Sequence, residues 1–410
     1  MARRADKVAI MANTNTASKS WPELASGVPK GLETGLRNYW YPIIQSPEVP
    51  ANAPVGLKCL NEDLVIWRDG EGRARVMNDR CPHRRVKLSA GRVLAGELQC
   101  AYHGLRFAGD GSCTLIPWEK QASDLNSKLC VTSYPTEEIG GYVWAYLGDV
   151  KKFPAPPIED CLPEELLHPD RFIHFSLPTE EWDANWLLVI DGSDTYHAVT
   201  LHAESQEHES VLRYIDPAAA RAHAGKDAGA STVPLADRLI EIVETDGHGL
   251  RGISVDREGR HLDHGHRLET IRGERFNLPG MVTNVLRPVP TAAAYVSRLY
   301  QVPIDYHRTR LFRFAAWRVE SDAQREKLRD LVERVVRPRQ LRTAAEDRAM
   351  AAMAGDLVES RANEFLLSPD RDMVRIRRRL AEAFVAQQLE GTRAPRNERT
   401  PSRDTLVFPV

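Results

Sequence analysis

Two short segments of this 410-residue sequence pair a cysteine with a histidine at close spacing. One residue separates Cys81 from His83, and two residues separate Cys100 from His103. Two thiolates and two imidazoles from two loops suit a [2Fe–2S] cluster in which the cysteines bind one iron and the histidines bind the other. Zinc sites also use two cysteines and two histidines, but they normally pair like ligands along the chain. The mixed order therefore favours the iron–sulfur cluster over zinc.

A second group of candidate ligands lies further along the chain. Asp194 is followed by His197 and His202 in the spacing D-x2-H-x4-H. Two histidines and one carboxylate on one face of Fe(II) leave neighbouring coordination positions open for O2, which is why oxygenases use such a set. A histidine pair at this spacing is, by itself, more often an ordinary surface or core pair. A cluster motif in the same chain shifts the interpretation toward a second iron site.

The segments that must hold these residues differ in character. From Val55 to Gly148, short apolar runs alternate with turn residues, which is typical of a small antiparallel β domain. Residues 151–157 contain three prolines and favour an extended connection. Further strand-like runs lie between Leu239 and Val319. We therefore expect two sheet-containing domains with a boundary near residue 150.

Helical periodicity marks the rest of the second part. It occurs in the segments Glu180–Leu201, Ala323–Val336, Leu341–Leu366 and Asp372–Leu389. The resulting prediction is an α+β chain with three parts. These are an N-terminal lead over residues 1–35, a β domain over 36–150, and an α+β domain with an antiparallel sheet over 151–410.

Composition narrows the class of function. A formal net charge of -2 offers no basic surface for nucleic acid or anionic membranes, so we expect a small-molecule substrate. The apolar run Val8–Ala12 is too short for a signal sequence or a membrane span, and we expect a cytoplasmic protein. Six cysteines are too few for a disulfide scaffold. Four of them fit no motif and are expected to be ordinary apolar side chains: Cys59, Cys113, Cys130 and Cys161.

The two cysteine–histidine segments also carry a family resemblance. Cys81-Pro82-His83-Arg84 and Cys100-Ala101-Tyr102-His103-Gly104 together resemble the Rieske domain of ring-hydroxylating oxygenases. Residues 140–148 resemble the end of that domain in the homotrimeric, phthalate-dioxygenase-like members. The resemblance covers most of residues 36–390. It implies a Rieske [2Fe–2S] domain followed by a helix-grip-like catalytic domain that holds a mononuclear Fe(II).

The resemblance implies roles for individual residues of the second group. His197 and His202 would be ligands of the mononuclear iron. Asp194 would form a bridge for electrons between this iron site and the Rieske histidine His103 of a neighbouring subunit. Such a bridge requires a head-to-tail ring of chains, so the resemblance implies a homotrimer.

The carboxylate ligand must come from far downstream. The helical sequence Ala345-Glu346-Asp347-Arg348 resembles the acidic pair that supplies it, and we choose Asp347. A solvated, charged helix face is the alternative interpretation of any acid in this region. The competing acids are Glu346, Asp356, Glu359 and Glu364. Asp191 occupies a position where the family often has asparagine or glutamate, and it could either touch the iron or orient a ligand.

The activity that the resemblance implies is that of a terminal oxygenase. Such an enzyme uses O2 and electrons from a separate NADH-dependent reductase, with or without a ferredoxin domain, to dihydroxylate an aromatic acid or aryl ether. The chain has no credible nicotinamide site of its own, because the G-x-G-x-x-G match at 247–252 leads into strand-like residues rather than a helix.

Two alternatives stay open. O-demethylation or another monooxygenation fits the same family. A Rieske electron carrier without oxygenase activity is more distant, because a carrier needs only about a hundred residues and no second ligand set.

Overall fold

The fold is described from a computed structural model of the chain. The described residues are 28–119, 126, 128–193, 197, 201–202, 239–245, 249–255, 276–286, 295–367 and 370–388. Most of the predicted N-terminal lead therefore lies outside them. Its last residues belong to the fold, because Val28 and Leu32 are buried and the Leu32 carbonyl accepts a hydrogen bond from the Trp186 indole at 3.0 Å.

Short antiparallel strands make up the first part of the chain. They are β1 (Tyr39–Gln45), β2 (Val55–Cys59), β3 (Glu62–Arg68), β4 (Ala74–Asn78), β5 (Arg92–Leu94), β6 (Glu97–Gln99), β7 (Arg106–Phe107), β8 (Cys113–Leu115), β9 (Ser133–Tyr134), β10 (Thr136–Ile139) and β11 (Tyr142–Leu147). They form sheets in the orders β1-β11-β10, β2-β3-β4-β9 and β5-β6-β7-β8. The predicted antiparallel β character of this part is confirmed.

A larger antiparallel sheet dominates the second part. Its strands are β12 (Phe172–Ser176), β13 (Glu180–Trp182), β16 (Phe276–Asn277), β17 (Met281–Leu286), β18 (Tyr295–Pro303) and β19 (Thr309–Arg318). The order is β12-β19-β18-β17-β16, and β13 also pairs with β19. A separate hairpin joins β14 (Leu239–Thr245) to β15 (Gly249–Val255), so the glycine-rich match at 247–252 runs into a strand, as predicted.

Helices flank this sheet. The α-helices are α1 (Glu164–Leu167), α2 (Trp186–Asp191), α3 (Asp322–Leu331), α4 (Arg337–Met353), α5 (Leu357–Asn363) and α6 (Arg371–Gln388). A π-helical turn, Val332–Val336, joins α3 to α4. Short 3-10 turns lie at Leu32–Thr34, Ser46–Glu48, Leu88–Ala90 and Ile158–Asp160. Within the described residues, no helix has the length and apolar character that a membrane span needs.

Two helix predictions are wrong in part. The predicted helix Glu180–Leu201 begins as strand β13, and its helical part starts only after Asn185, whose side chain accepts the backbone N–H of Leu187 at 3.0 Å. The predicted helix Leu341–Leu366 is interrupted at Gly355, where φ is +73°. Glycine adopts this left-handed conformation readily, and the chain restarts as α5.

The main core crosses the predicted boundary near residue 150. Tyr142 on β11 and Phe312 on β19 meet edge to face with ring centroids 5.8 Å apart, within one cluster of buried side chains. The opposite face of β19 packs on the helices. Leu311 shares a cluster with Ala344 of α4, and Trp317 shares one with Val336. The sheet therefore serves as a platform between the first part of the chain and α4.

Candidate metal centres

The first cysteine–histidine loop is closed by its own backbone. The N–H of Cys81 donates to the carbonyl of Val86 at 2.9 Å, and the N–H of Arg85 donates to the carbonyl of Cys81 at 2.9 Å. Arg85 has a φ of +60°, in the left-handed region that a residue other than glycine rarely adopts. The tight loop holds Cys81 at its base and His83 near its tip.

The second loop repeats this geometry. The N–H of Cys100 donates to the carbonyl of Leu105 at 2.9 Å, and the N–H of Gly104 donates to the carbonyl of Cys100 at 3.1 Å. Gly104, with a φ of +75°, takes the place that Arg85 has in the first loop. The left-handed turn explains the glycine directly after His103.

The four side chains of the two loops come together at one end of the β5–β8 sheet. Cys81 and Cys100 are 1% and 2% exposed, and their cluster of buried residues includes Phe107. The imidazoles of His83 and His103 lie further out, with ring centroids 4.6 Å apart. Burial raises the pKa of the Cys81 thiol to about 11, and the neighbouring Cys100 thiol adds to this rise. A thiol with a raised pKa loses its proton when it binds a metal cation, and the resulting thiolate is the ligand.

The spread of these four donors bears on the choice between zinc and a two-iron cluster. A single tetrahedral metal needs its ligand atoms close together. In the described part of the chain, the four donors of these loops do not form a group whose atoms all lie within 4.8 Å of one another. The one such group among the described residues consists of His197, His202 and Asp347. Two inner sulfurs and two outer nitrogens fit a cluster with cysteines on one iron and histidines on the other.

The group with converging donors is His197, His202 and Asp347. Nε2 of His202 lies 3.0 Å from Oδ1 of Asp347, and Nε2 of His197 lies 3.5 Å from the same oxygen. Burial alone would raise the pKa of the Asp347 carboxyl, but hydrogen bonds from both histidines outweigh it and lower the pKa to about 2. Two imidazole nitrogens and an ionised carboxylate are a suitable donor set for Fe(II).

Glu346 determines which nitrogen of His202 faces this group. Its Oε2 lies 2.7 Å from Nδ1 of His202, whose side chain is 5% exposed. With Nδ1–H donating to Glu346, a neutral His202 would offer the lone pair of Nε2 to a metal ion bound beside Asp347, in place of the hydrogen bond to that carboxylate. Adjacent acids on one helix therefore contact opposite edges of the same imidazole.

Different elements deliver the three converging side chains. The histidines follow α2, and the N–H of Leu201 donates to the carbonyl of His197 at 2.8 Å in a helical turn. Asp347 lies on α4, where Ala344 and Gln340 are buried. Positions 340, 344 and 347 follow the i, i+4, i+7 pattern of one helix face, so this face of α4 is the inner one.

Comparison with known proteins assigns the first of the two centres. Residues 39–135 match the family described as the Rieske [2Fe-2S] domain. This part of the chain is a Rieske domain. The predicted [2Fe–2S] cluster is thereby supported, and the assignment of the loops at Cys81 and Cys100 as its ligand loops stays a prediction.

Relatives extend the similarity beyond the Rieske domain. The phthalate 4,5-dioxygenase oxygenase subunit of Pseudomonas putida is 36% identical over 171 residues, which are 41% of this chain and 38% of that relative. The 5,5'-dehydrodivanillate O-demethylase oxygenase subunit of Sphingobium sp. (strain NBRC 103272 / SYK-6) is 36% identical over 173 residues, 41% of this chain and 39% of the relative. The chain thus spans less than half the length of these relatives. Its resemblance to the oxygenase subunits of Rieske systems is confirmed.

The fold agrees with this assignment. A chain from the solved reduced complex between oxygenase and ferredoxin in carbazole 1,9a-dioxygenase superimposes with a TM-score of 0.62 at 20% identity, covering 88% of this chain and 91% of that one. The predicted fold class, a Rieske domain followed by an α+β domain with an antiparallel sheet, is confirmed.

Asp191 does not join the converging group of His197, His202 and Asp347. Its carboxylate, 11% exposed, binds Arg361 at 2.9 Å and Arg377 at 2.8 Å. Arg377 also binds Glu364, with Nη2 and Oε2 2.8 Å apart. This buried network, the Asp191 cluster, ties the end of α2 to α5 and α6. Both oxygens of Asp191 are engaged by these arginines, which disfavours direct contact with a metal, and its role in orienting a ligand stays a prediction.

The remaining acids have other partners. Asp356 caps α5 by accepting the backbone N–H of Val358 at 2.9 Å, and Glu364 belongs to the Asp191 cluster. The structure brings Asp347 to both histidines, and its role as an iron ligand stays a prediction. Asp194 lies outside the described residues. The sequence interpretation missed the contact of Glu346 with His202, for which its adjacency to Asp347 was the available signal.

Proposed function

We propose that this chain is the terminal oxygenase component of a Rieske oxygenase system. The observation that carries the proposal is the convergence of His197, His202 and Asp347 in a chain whose first part is a Rieske domain. A Rieske electron carrier has no use for a second donor set of this kind. The units of the proposal are a Rieske domain over 36–150 and a catalytic domain over 151–410.

The two centres have complementary chemistry. When bound, the cluster supplies single electrons, and the mononuclear iron supplies open positions for O2. The chain's own residues set the conditions for both. The buried Cys81 and Cys100 would hold one iron of the cluster, and the exposed His83 and half-buried His103 would hold the other. Glu346 holds the His202 ring in the orientation that a metal ligand needs.

The substrate class follows from the relatives' chemistry. We propose an aromatic acid or an aryl ether as substrate and dihydroxylation as the reaction. O-demethylation is the second candidate, because one of the relatives is named for it. Reaction in 18O2 separates the two: a dihydroxylated product carries two labelled oxygen atoms, whereas monooxygenation transfers one label and leaves the other in water.

Electrons must come from a partner. The G-x-G-x-x-G match runs into strand β15, so no helix N-terminus follows it to bind a dinucleotide phosphate. We propose a separate NADH-dependent reductase, with or without a ferredoxin domain, as the donor. A solved neighbour is itself a complex of an oxygenase with a ferredoxin. A reducing compartment such as the cytoplasm would keep the Cys81 and Cys100 thiols available as ligands.

The assembly proposed is a homotrimer. Asp194 would accept hydrogen bonds from His103 of one chain and from an iron-ligand histidine of the next, since one carboxylate can accept from two imidazole N–H groups. Asp194→Ala should then block electron transfer while both metal sites stay filled. Mixed trimers of Cys100→Ser and His197→Ala chains should regain turnover. Mixed trimers that form and remain inactive would place the electron path within one chain.

The decisive experiment on the function measures metals and turnover in the same preparation. We expect about three irons and two acid-labile sulfides per chain, a Rieske-type electron paramagnetic resonance signal after reduction, and NADH-dependent O2 consumption with a surrogate reductase and aromatic substrates. His202→Ala should lose one iron and all turnover but keep the signal. One zinc per chain without sulfide would refute the cluster, and full turnover of His202→Ala would refute the mononuclear site.

A further inference from the structure

Two arginines on the large sheet have carboxylate partners. Arg298 on β18 binds Glu165 at 3.0 Å, and Arg310 on β19 binds Glu181 at 2.6 Å. Arg313, three residues further along β19, differs from both. Its one hydrogen bond to a described residue runs from Nη1 to the backbone carbonyl of Gln340 at 3.2 Å, and no carboxylate of the described chain forms an ion pair with it.

The position of Arg313 connects it with the candidate iron site. Side chains alternate along a strand, so Arg313 lies on the same face of β19 as Leu311 and Ala315, the face covered by the helices. Its partner Gln340 precedes Asp347 by seven residues of α4, which is two turns or about 10 Å along the same helix face. The guanidinium and the Asp347 carboxylate therefore share one side of α4.

The Arg313 guanidinium is partly buried and has no carboxylate partner among the described residues. Burial lowers the pKa of Arg313, and the more distant carboxylates of Glu180 and Asp347 offset this only in part. Buried charges in proteins are normally paired, and an arginine has five N–H groups to satisfy. The buried side-chain oxygen of Gln340 also has no hydrogen-bond partner in the described structure. A guanidinium without a carboxylate partner and an unpartnered amide oxygen thus meet at one level of α4.

We propose that Arg313 binds the carboxylate of an aromatic acid whose ring extends along α4 toward His197, His202 and Asp347. A carboxylate accepts two parallel hydrogen bonds from a guanidinium, which fixes orientation as well as charge. The proposal rests on the proposed oxygenase function and narrows its substrate class from an aromatic acid or aryl ether to an aromatic carboxylate. A role as a contact between sheet and helix alone would give no preference for anions.

The test compares each carboxylate with its uncharged carboxamide. Benzoate, phthalate and 3-phenoxybenzoate, and the matching amides, are titrated calorimetrically into the anaerobic iron-loaded protein. We expect at least one carboxylate to bind ten times more tightly than its amide. In Arg313→Gln this preference should fall below threefold. Arg318→Gln is the matched control, because Arg318 lies on the same strand but on the opposite face, and this variant should keep the preference.

Arg313→Lys is a second test variant, which keeps the experiment informative if Arg313→Gln does not fold. It keeps the charge but loses the planar pair of donors, so the preference for carboxylates should weaken without vanishing. The proposal is overturned if no carboxylate is preferred by the wild-type protein, or if Arg313→Gln or Arg313→Lys leaves the preference unchanged. Failure of the oxygenase function would appear differently, as missing mononuclear iron or as no O2 consumption with any aromatic compound. Failure of the Arg313 assignment alone would leave oxidation of uncharged aromatics intact.

Discussion

The two candidate metal centres are built in contrasting ways. The predicted Rieske ligands lie on two neighbouring loops, each closed by backbone hydrogen bonds within six residues, such as that from Cys81 to Val86. The second centre joins a segment after α2 to the middle of α4, and 144 residues separate His202 from its partner Glu346. A locally closed loop needs little support from elsewhere. The second centre depends on the packing of α4 against the sheet, and its geometry should respond to distant changes.

The largest effects should come from removing one ligand of either centre. Asp347→Ala should lower turnover below about 1% of wild type, because even groups that only support a metal ligand typically contribute 10–100-fold. The variant should lose the mononuclear iron and keep the Rieske signal. Cys100→Ser should do the reverse, with loss of the cluster and retention of the mononuclear iron. Iron and sulfide analysis together with electron paramagnetic resonance measures both.

The Asp347 assignment has a built-in comparison. Asp356→Ala removes a competing acid that caps α5, and this variant should keep its iron. Retained iron in Asp347→Ala, with iron lost in Asp356→Ala, would move the carboxylate ligand to the second position.

Removing the Glu346 carboxylate should weaken Fe(II) binding less than removing that of Asp347, and it should affect the mononuclear site alone. Glu346→Ala removes the acceptor for Nδ1 of His202, and we expect the Fe(II) affinity of the site to fall 10–100-fold. Glu346→Gln keeps an oxygen acceptor and should lose about tenfold or less. Competition with a chelator measures the affinity. The control is Glu333→Gln, an exposed acid paired with Arg337, which should bind iron as the wild type does.

The Asp191 cluster tests whether the mononuclear site depends on distant packing more than the Rieske loops do. Asp191→Ala leaves Arg361 and Arg377 without their shared buried carboxylate, and breaking such a pair costs about 3–5 kcal/mol of stability. We expect urea denaturation to show this loss, and the mononuclear iron to be lost before the Rieske signal. Glu364→Gln, at the edge of the cluster, should cost less. Simultaneous loss of both centres would mean that the Rieske loops also depend on this cluster.

The smallest effect concerns a cysteine beside the Rieske loops that is not predicted to be a ligand. Cys113 is buried in the same cluster of residues as Cys81 and Cys100, and burial raises the pKa of its thiol. Cys113→Ala removes one buried sulfur and should destabilise the protein by about 1 kcal/mol. Its Rieske signal should match that of the wild type. A changed signal would show that the environment of the cluster reaches beyond the two ligand loops.

The sequence by itself determined what depends on neighbouring residues. The Rieske loops could be predicted because ligand types, spacing and the glycine after His103 lie within one short stretch. The α+β class followed from the change of apolar period from about two to about 3.6 residues. The candidate pair His197 and His202 was equally visible.

Only the tertiary structure decided how the distant groups pair. Glu346 and Asp347 are adjacent acids with the same helical signal, and they differ because the inner face of α4 directs them to opposite edges of His202. The sequence left Asp191 as a possible ligand, but in the structure its carboxylate pairs with two arginines, one on α5 and one on α6. A charge on a helix has no preferred partner in the sequence. Its partner is fixed when packing brings remote segments together and burial makes an unpaired charge unfavourable.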